Sequence, residues 1–165
     1  MKTTLFAAAL SVASVSAQAN TESAQVVSQF IDAFNQHNVE KMLSHTTDSV
    51  HWGHVKGNKM TLEASNQTEF GTAMNDYFQT LPAAKAEIIS MMDSGSFVTI
   101  VEQISWTNEE QRNTQCSIGV YQLSGDKIST ISYYPPHTCE ARVAPAPDVE
   151  LTVAPDIGVL QSTQQ

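Results

Sequence analysis

The segment Ala24–Val55, AQVVSQFIDAFNQHNVEKMLSHTTDSVHWGHV, changes its hydrophobic period twice within a short span, and the rest of the chain has to fit around it. Val26, Val27, Phe30, Ala33 and Phe34 repeat at the i, i+3, i+4, i+7, i+8 spacing of one helical face. A tight break follows at Asn35–Asn38. Asn38 can cap a short second helix whose inner face is Val39, Met42 and Leu43. After the polar clasp Thr46-Thr47-Asp48, residues Ser49–Val55 read as a strand carrying two histidines and a tryptophan.

Downstream, Lys56-Gly57-Asn58-Lys59 reads as a turn and Met60–Leu62 as a short strand. Asn66 with Glu69 three residues later is a capping-box signature for a third helix, Gln67–Gln79, with Phe70, Met74, Tyr77 and Phe78 on its apolar side. Leu81-Pro82 stops it. Four strands are then expected: Ala84–Met92, Ser96–Thr107, Thr114–Leu123 and Lys127–Tyr134. The last two form a hairpin around Gly125. This order predicts an α+β domain with three helices on a curved antiparallel sheet of four to six strands.

The ends differ from this body. In MKTTLFAAALSVASVSAQA, one charge at Lys2 precedes a short apolar run, and Ala17-Gln18-Ala19 is an A-x-A cleavage signature. Residues 1–19 are therefore expected to be a secretory signal, and the mature protein to be periplasmic or secreted, with no membrane anchor after cleavage. Residues 20–139 form the expected domain. Residues 140–165, with VAPAPD and VAPDIG, read as a Pro/Ala-rich mobile extension. The formal charge of −9 becomes −10 without Lys2, which argues against nucleic acid and anionic membrane as partners. Cys116 and Cys139 are expected to pair as a structural disulfide, with Cys139 folding back over Cys116 beyond the hairpin. Closing a loop of about 24 residues is worth roughly 3 kcal/mol.

The run from Phe30 through Asn38 and Leu43, followed by Asp48-x-hydrophobic-x-Trp52, resembles the opening of the NTF2-like superfamily, in its SnoaL-like and ketosteroid-isomerase-like branch. The resemblance covers about Ala24 to Tyr134. It implies a cone whose sheet and helices enclose a pocket, and a homodimer through the outer sheet face, here the set Trp52, Val101, Ile118 and Val120. Laid over this chain, the Tyr/Asp/Asp machinery of ketosteroid isomerases falls on Phe30, Gly53 and Gly119, so that mechanism is not expected. The base of that family implies that His51 and Gly53 face the pocket, with Trp52 and His54 pointing away.

Alternation supplies the other candidates. Val98, Ile100, Glu102, Ile104 and Trp106 share one face of a strand, which sets a carboxylate in an apolar stripe. Burial there raises a carboxyl's pKa and suits it to acid–base work; pairing with Arg112 or a histidine is the plain alternative. His51 is the second acid–base candidate. Phe30, Phe34, Met74, Trp106, Tyr121 and Tyr133 are the expected ligand-lining residues. His37 and His45 fall near helix ends, where exposure is the simple expectation. No metal-ligand spacing, phosphate loop or nucleophile elbow occurs, so neither metal nor cofactor is expected. Three readings follow: a cofactor-free isomerase, cyclase or dehydratase acting on a small apolar molecule; a binding module for such a molecule; or a dimeric interaction protein.

Overall fold

The structure, a computed structural model, describes residues 21–108 and 110–139. The expected signal segment 1–19 and extension 140–165 lie outside the described residues. Three helices, α1 (Glu22–Asn35), α2 (Val39–Ser44) and α3 (Gln67–Thr80), pack on one face of a six-stranded sheet. Its strands are β1 (Thr46–Lys56), β2 (Lys59–Ala64), β3 (Lys85–Asp93), β4 (Phe97–Asn108), β5 (Gln111–Ser124) and β6 (Lys127–Tyr133). The spatial order is β2-β1-β6-β5-β4-β3, and the sheet is open rather than closed into a barrel. All neighbouring pairs are antiparallel except β1–β6, which is parallel. That mixed pairing is what the long excursion through β2, α3 and β3–β5 produces when the last strand returns to the first.

Capping defines the helices much as their sequences suggest. Thr21, Asn38 and Asn66 each accept a backbone N–H in the first turn of their helix. Glu69 reaches back to the N–H of Ser65, one residue before the cap, so the box closes slightly wider than the motif predicts. The break after α1 is a Schellman turn: Asn38 N–H donates to Ala33 O at 3.0 Å and His37 N–H to Phe34 O at 2.9 Å. His37 takes the left-handed position, φ 53°, usually filled by glycine. Its ring compensates, stacking on Phe78 at 4.3 Å while Nε2 meets Ala84 O at 2.8 Å. The expected solvent-facing His37 is thus half-buried, and the same holds for His45, whose Nε2 is buried.

The core fills the space between helices and sheet with Val27, Phe30 and Ala33 of α1, Phe70 of α3, and Val98, Ile100, Tyr121, Ile128 and Ile131 of the central strands. Gln67 closes the corner, donating to the carbonyl oxygens of Leu43 and Thr46. The expected disulfide is present: Cys116 and Cys139 are joined, with Cα atoms 5.0 Å apart. Cys116 also exchanges two backbone hydrogen bonds with His137, at 3.0 and 2.9 Å. Residues 134–139 are thereby strapped to the edge of β5 that β6 has vacated. Among the described residues no helix is long and apolar enough to cross a membrane.

Candidate functional site

A cavity of about 290 Å³ lies between the helices and the inner sheet face. Its walls are mainly rings: Phe30 and Phe34 from α1, Trp52 from β1, Phe70 and Tyr77 from α3, and Tyr133 from β6. These rings brace one another. Phe30 stacks on Phe70 with centroids 6.1 Å apart, Trp52 meets Phe70 edge-on at 5.8 Å, and Phe34 meets Tyr77 at 5.8 Å.

The polar floor is built by strand pairing. Glu102 on β4 lies opposite Ser117 on β5, and Gly119, two residues on, lies opposite Tyr133 on β6. Because alternate residues share a face, all of these meet on the cavity side. Ser117 Oγ donates to Glu102 Oε1 at 3.2 Å, and the hydroxyls of Tyr121 and Tyr133 are 2.7 Å apart. A side chain at Gly119 would put its Cβ 3.0 Å from the Tyr133 ring and 3.1 Å from the Tyr121 ring, so only glycine leaves room for that tyrosine contact. The Glu102 side chain is 2 % exposed, and its Oε2 is buried without a hydrogen-bond partner. Burial pushes its carboxyl up to about 7, against the weaker downward pull of the Ser117 and Tyr133 hydroxyls. Tyr121 and Tyr133 are raised well above the usual phenol range, chiefly by burial and then by the neighbouring Glu102 charge, so both are neutral hydroxyls.

Phe30, Phe34, Met74, Glu102 and Tyr133 line the cavity as the sequence predicts. Three expected residues do not. Trp106 is partly exposed near the end of β4, beyond the cavity. Tyr121 is fully buried behind Tyr133 and supports it. His51 points the wrong way, because β1 runs in the opposite phase: Val50 is fully buried, Trp52 and His54 follow it onto the cavity side, and His51 pairs with Thr130 facing outward. Trp52 accordingly leaves the expected outer-face set. Gly53 is buried under β2, where a Cβ would lie 2.2 Å from Thr61 O, and this close approach accompanies a bulge between Trp52 and Gly53. The imidazole at the site is His54, whose Nδ1 meets Glu63 Oε1 at 2.9 Å on the rim. Glu102 takes no ionic partner: among the described residues neither lysine nor arginine lines the cavity.

Ser117, Trp52 and His54 went unpredicted, and each had a signal. Counting six residues back from Asn108 on β4 and six forward from its partner Gln111 on β5 sets Ser117 against Glu102. Counting by twos from the apolar Val50 reaches Trp52 and His54.

The sequence model of the SnoaL-like domain family matches residues 27–131. The chain belongs to the SnoaL-like domain family. Solved structures agree on the NTF2-like fold at low identity. A cystatin-fold protein from Novosphingobium aromaticivorans superposes with a TM-score of 0.59 at 20% identity, covering 66% of this chain and 94% of its own. An NTF2-like protein from Burkholderia pseudomallei K96243 also gives 0.59, at 15% identity over 68% of this chain and 89% of its own. A protein described as a SnoaL-like polyketide cyclase, from Jannaschia sp. CCS1, gives 0.58 at 8% identity, over 68% and 83%. No curated protein matches the sequence. In this SnoaL-like domain the matched region contains all of the floor except Tyr133 and the strap.

Proposed function

We propose that this SnoaL-like domain encloses a small, mostly apolar molecule in its cavity and moves a proton on it with the Glu102 carboxyl, without a cofactor, in an isomerisation, cyclisation or dehydration. The observation that carries this reading is a carboxyl 2 % exposed whose Oε2 has no partner in an aromatic chamber. Near neutral pH such a group exists in both protonation states, so it can take a proton from one atom and return it to another. A Tyr133 hydroxyl held by Tyr121 is placed to donate to an oxygen that gains charge. Binding without turnover is the second reading. It is favoured by the residues at the isomerase positions, Phe30, Gly53 and Gly119, which carry no acid–base group.

We further propose that the protein works outside the cytoplasm as a homodimer. The leader-like residues 1–19 and the Cys116–Cys139 disulfide support the location. Val101, Ile118 and Val120 on the outer sheet face, with Ile118 37 % exposed, support the dimer.

Native mass spectrometry of the purified full chain tests the ligand reading. The wild type is expected to carry an adduct of a few hundred daltons, or to bind apolar one- and two-ring probes. Ala86→Phe, which fills the cavity, should lose both. Failure of the wild type to hold or bind any such molecule overturns the reading. Identical bound species before and after prolonged incubation of wild type and Glu102→Gln would leave binding as the function.

A further inference from the structure

The polar groups on the cavity floor are unequally supplied with donors and acceptors. Ser117 commits its only hydroxyl proton to Glu102 Oε1, leaving its own lone pairs, and no donor lies within hydrogen-bond geometry of Glu102 Oε2. One tyrosine proton is taken by the other tyrosine, and the remaining phenolic hydrogen, on Tyr133, is drawn toward the Glu102 carboxyl. The deep end of the chamber therefore offers more acceptors than donors. Its ring walls present π faces, which attract cations and do not favour anions. Neither lysine nor arginine competes for Glu102 among the described lining residues, and the rim imidazole, His54, is engaged by Glu63. An adjoining groove shares Trp52 and Tyr77 with the cavity and adds Glu63 and Asp76, so the approach is negative as well. The whole chain, at −9, draws cations inward.

We infer, resting on the ligand-site reading above, that the cavity binds an organic amine in its protonated form: an apolar body of one or two rings against the aromatic wall, with an ammonium donating to Glu102 Oε2 and Ser117 Oγ. An ammonium brings two or three donors and needs no donor in return, which matches the imbalance on the floor. A ketone or an ether brings only acceptors and leaves Oε2 unpaired unless Glu102 stays protonated. A carboxylate meets repulsion from Glu102. At about 290 Å³ the chamber is at the small end of ligand pockets, about 300 to 1,000 Å³, which limits the body to roughly two fused rings.

The sign of the pH dependence separates these ligands. The titratable groups facing Glu102 are Tyr77 from α3, Tyr121 from β5 and Tyr133 from β6, all phenols raised from their usual value and so neutral across the range tested. His54 from β1 stands at the rim, where a protonated ring repels a cation and acts in the same direction as protonating Glu102. A simple amine stays charged up to roughly pH 9, as lysine does. Cation binding should therefore strengthen as Glu102 ionises, and a neutral acceptor should weaken.

Calorimetric titration of the intact protein with three near-isosteric probes, 2-aminoindane, 2-indanol and indane-2-carboxylate, tests this at pH 6 and pH 8. The expected result is 2-aminoindane at least tenfold tighter than 2-indanol at pH 8. Its affinity should rise about tenfold from pH 6 to pH 8, as a carboxyl titrating at about 7 passes from mostly protonated to mostly ionised. In Glu102→Gln the amine-to-alcohol ratio should collapse; the wild-type pH profile decides the same question if that variant misfolds. 2-Indanol binding as tightly as the amine, or an amine affinity that falls with pH, overturns the amine assignment while leaving the ligand site standing. Failure of all three probes to bind overturns both.

Discussion

Two carboxylates, Glu102 on the cavity floor and Glu63 beside the rim residue His54, live in opposite physical worlds. Glu63 sits on the rim with its side chain 46 % exposed, 2.9 Å from His54. Glu102 sits on the floor, 2 % exposed, with one oxygen on a serine hydroxyl and no donor within hydrogen-bond geometry of the other. Water screens the rim pair, so it is worth little and costs little. The floor carboxylate is desolvated without a counter-charge, which costs the fold energy whenever it ionises. A folding domain has no use for such a group, since a leucine of similar size would pack there freely. The role proposed for Glu102 rests on this unpaired, deeply buried acid, whereas the rim pair needs no such explanation.

The largest effect expected from breaking this contrast is a gain in stability. The Glu102 carboxyl is raised to about 7 in the fold from an ordinary value of 4.5. Between those values the folded protein holds a proton that the unfolded chain has lost, so stability falls as pH rises through this window and stays lower above it. The full penalty is on the order of 3 kcal/mol. Glu102→Gln, similar in shape and uncharged, should remove it. Urea unfolding at pH 8 should show the variant more stable than wild type by that order, and at pH 4 nearly equal to it. A variant less stable than wild type at pH 8 would mean that the carboxylate is offset by contacts the floor geometry does not contain.

How much of this was written in the chain depends on which kind of pairing sets each residue. Helices and caps were legible because their signals are local: Asn38 and Asn66 cap where the sequence places them. The floor was half legible. Glu102 follows from two-residue alternation along one strand, while Ser117 needs the hairpin register as well. The rim was misread because the family's base position was carried onto Gly53, while β1 pairs with the adjacent β2 and with β6, which reaches it from a distant part of the chain. Alternation from the buried Val50 separates His54 from His51, but the bulge at Trp52/Gly53 and the parallel partner, which complete the rim, leave no local trace. Trp106 failed for a simpler reason: the strand outruns the cavity, and alternation fixes a face without fixing where along it the helices stop covering.

Gly119→Ala tests the floor without touching its charge, with an effect of intermediate size. The added methyl would lie 3.0 Å from the Tyr133 ring and 3.1 Å from the Tyr121 ring, and 3.5 Å from Ile100, in a packed region with little slack. Overpacking of this kind costs about 1–3 kcal/mol. More tellingly, it should part the two tyrosine hydroxyls now 2.7 Å apart. Chemical denaturation should give the stability loss, and the ultraviolet tyrosine absorption should shift as that hydrogen bond opens. A variant of unchanged stability and spectrum would show that the two rings have freedom the static packing denies them.

The smallest effect belongs to the rim. Glu63→Gln removes the charge beside His54 while leaving an amide within reach of Nδ1. Because both side chains are nearly half exposed, 44 % and 46 %, the pair lies in the range where solvent-exposed ion pairs contribute about 0–1 kcal/mol. The expected change in unfolding free energy is therefore under about 0.5 kcal/mol at pH 8, where Glu102→Gln gains several times as much. Its stability curve should also run parallel to that of wild type between pH 4 and pH 8, since the step through that window comes from the floor. If the step instead disappears in Glu63→Gln and survives in Glu102→Gln, the titrating group is on the rim. The two carboxylates would then have to exchange roles, with the rim pair as the strained one and the floor acid held neutral throughout.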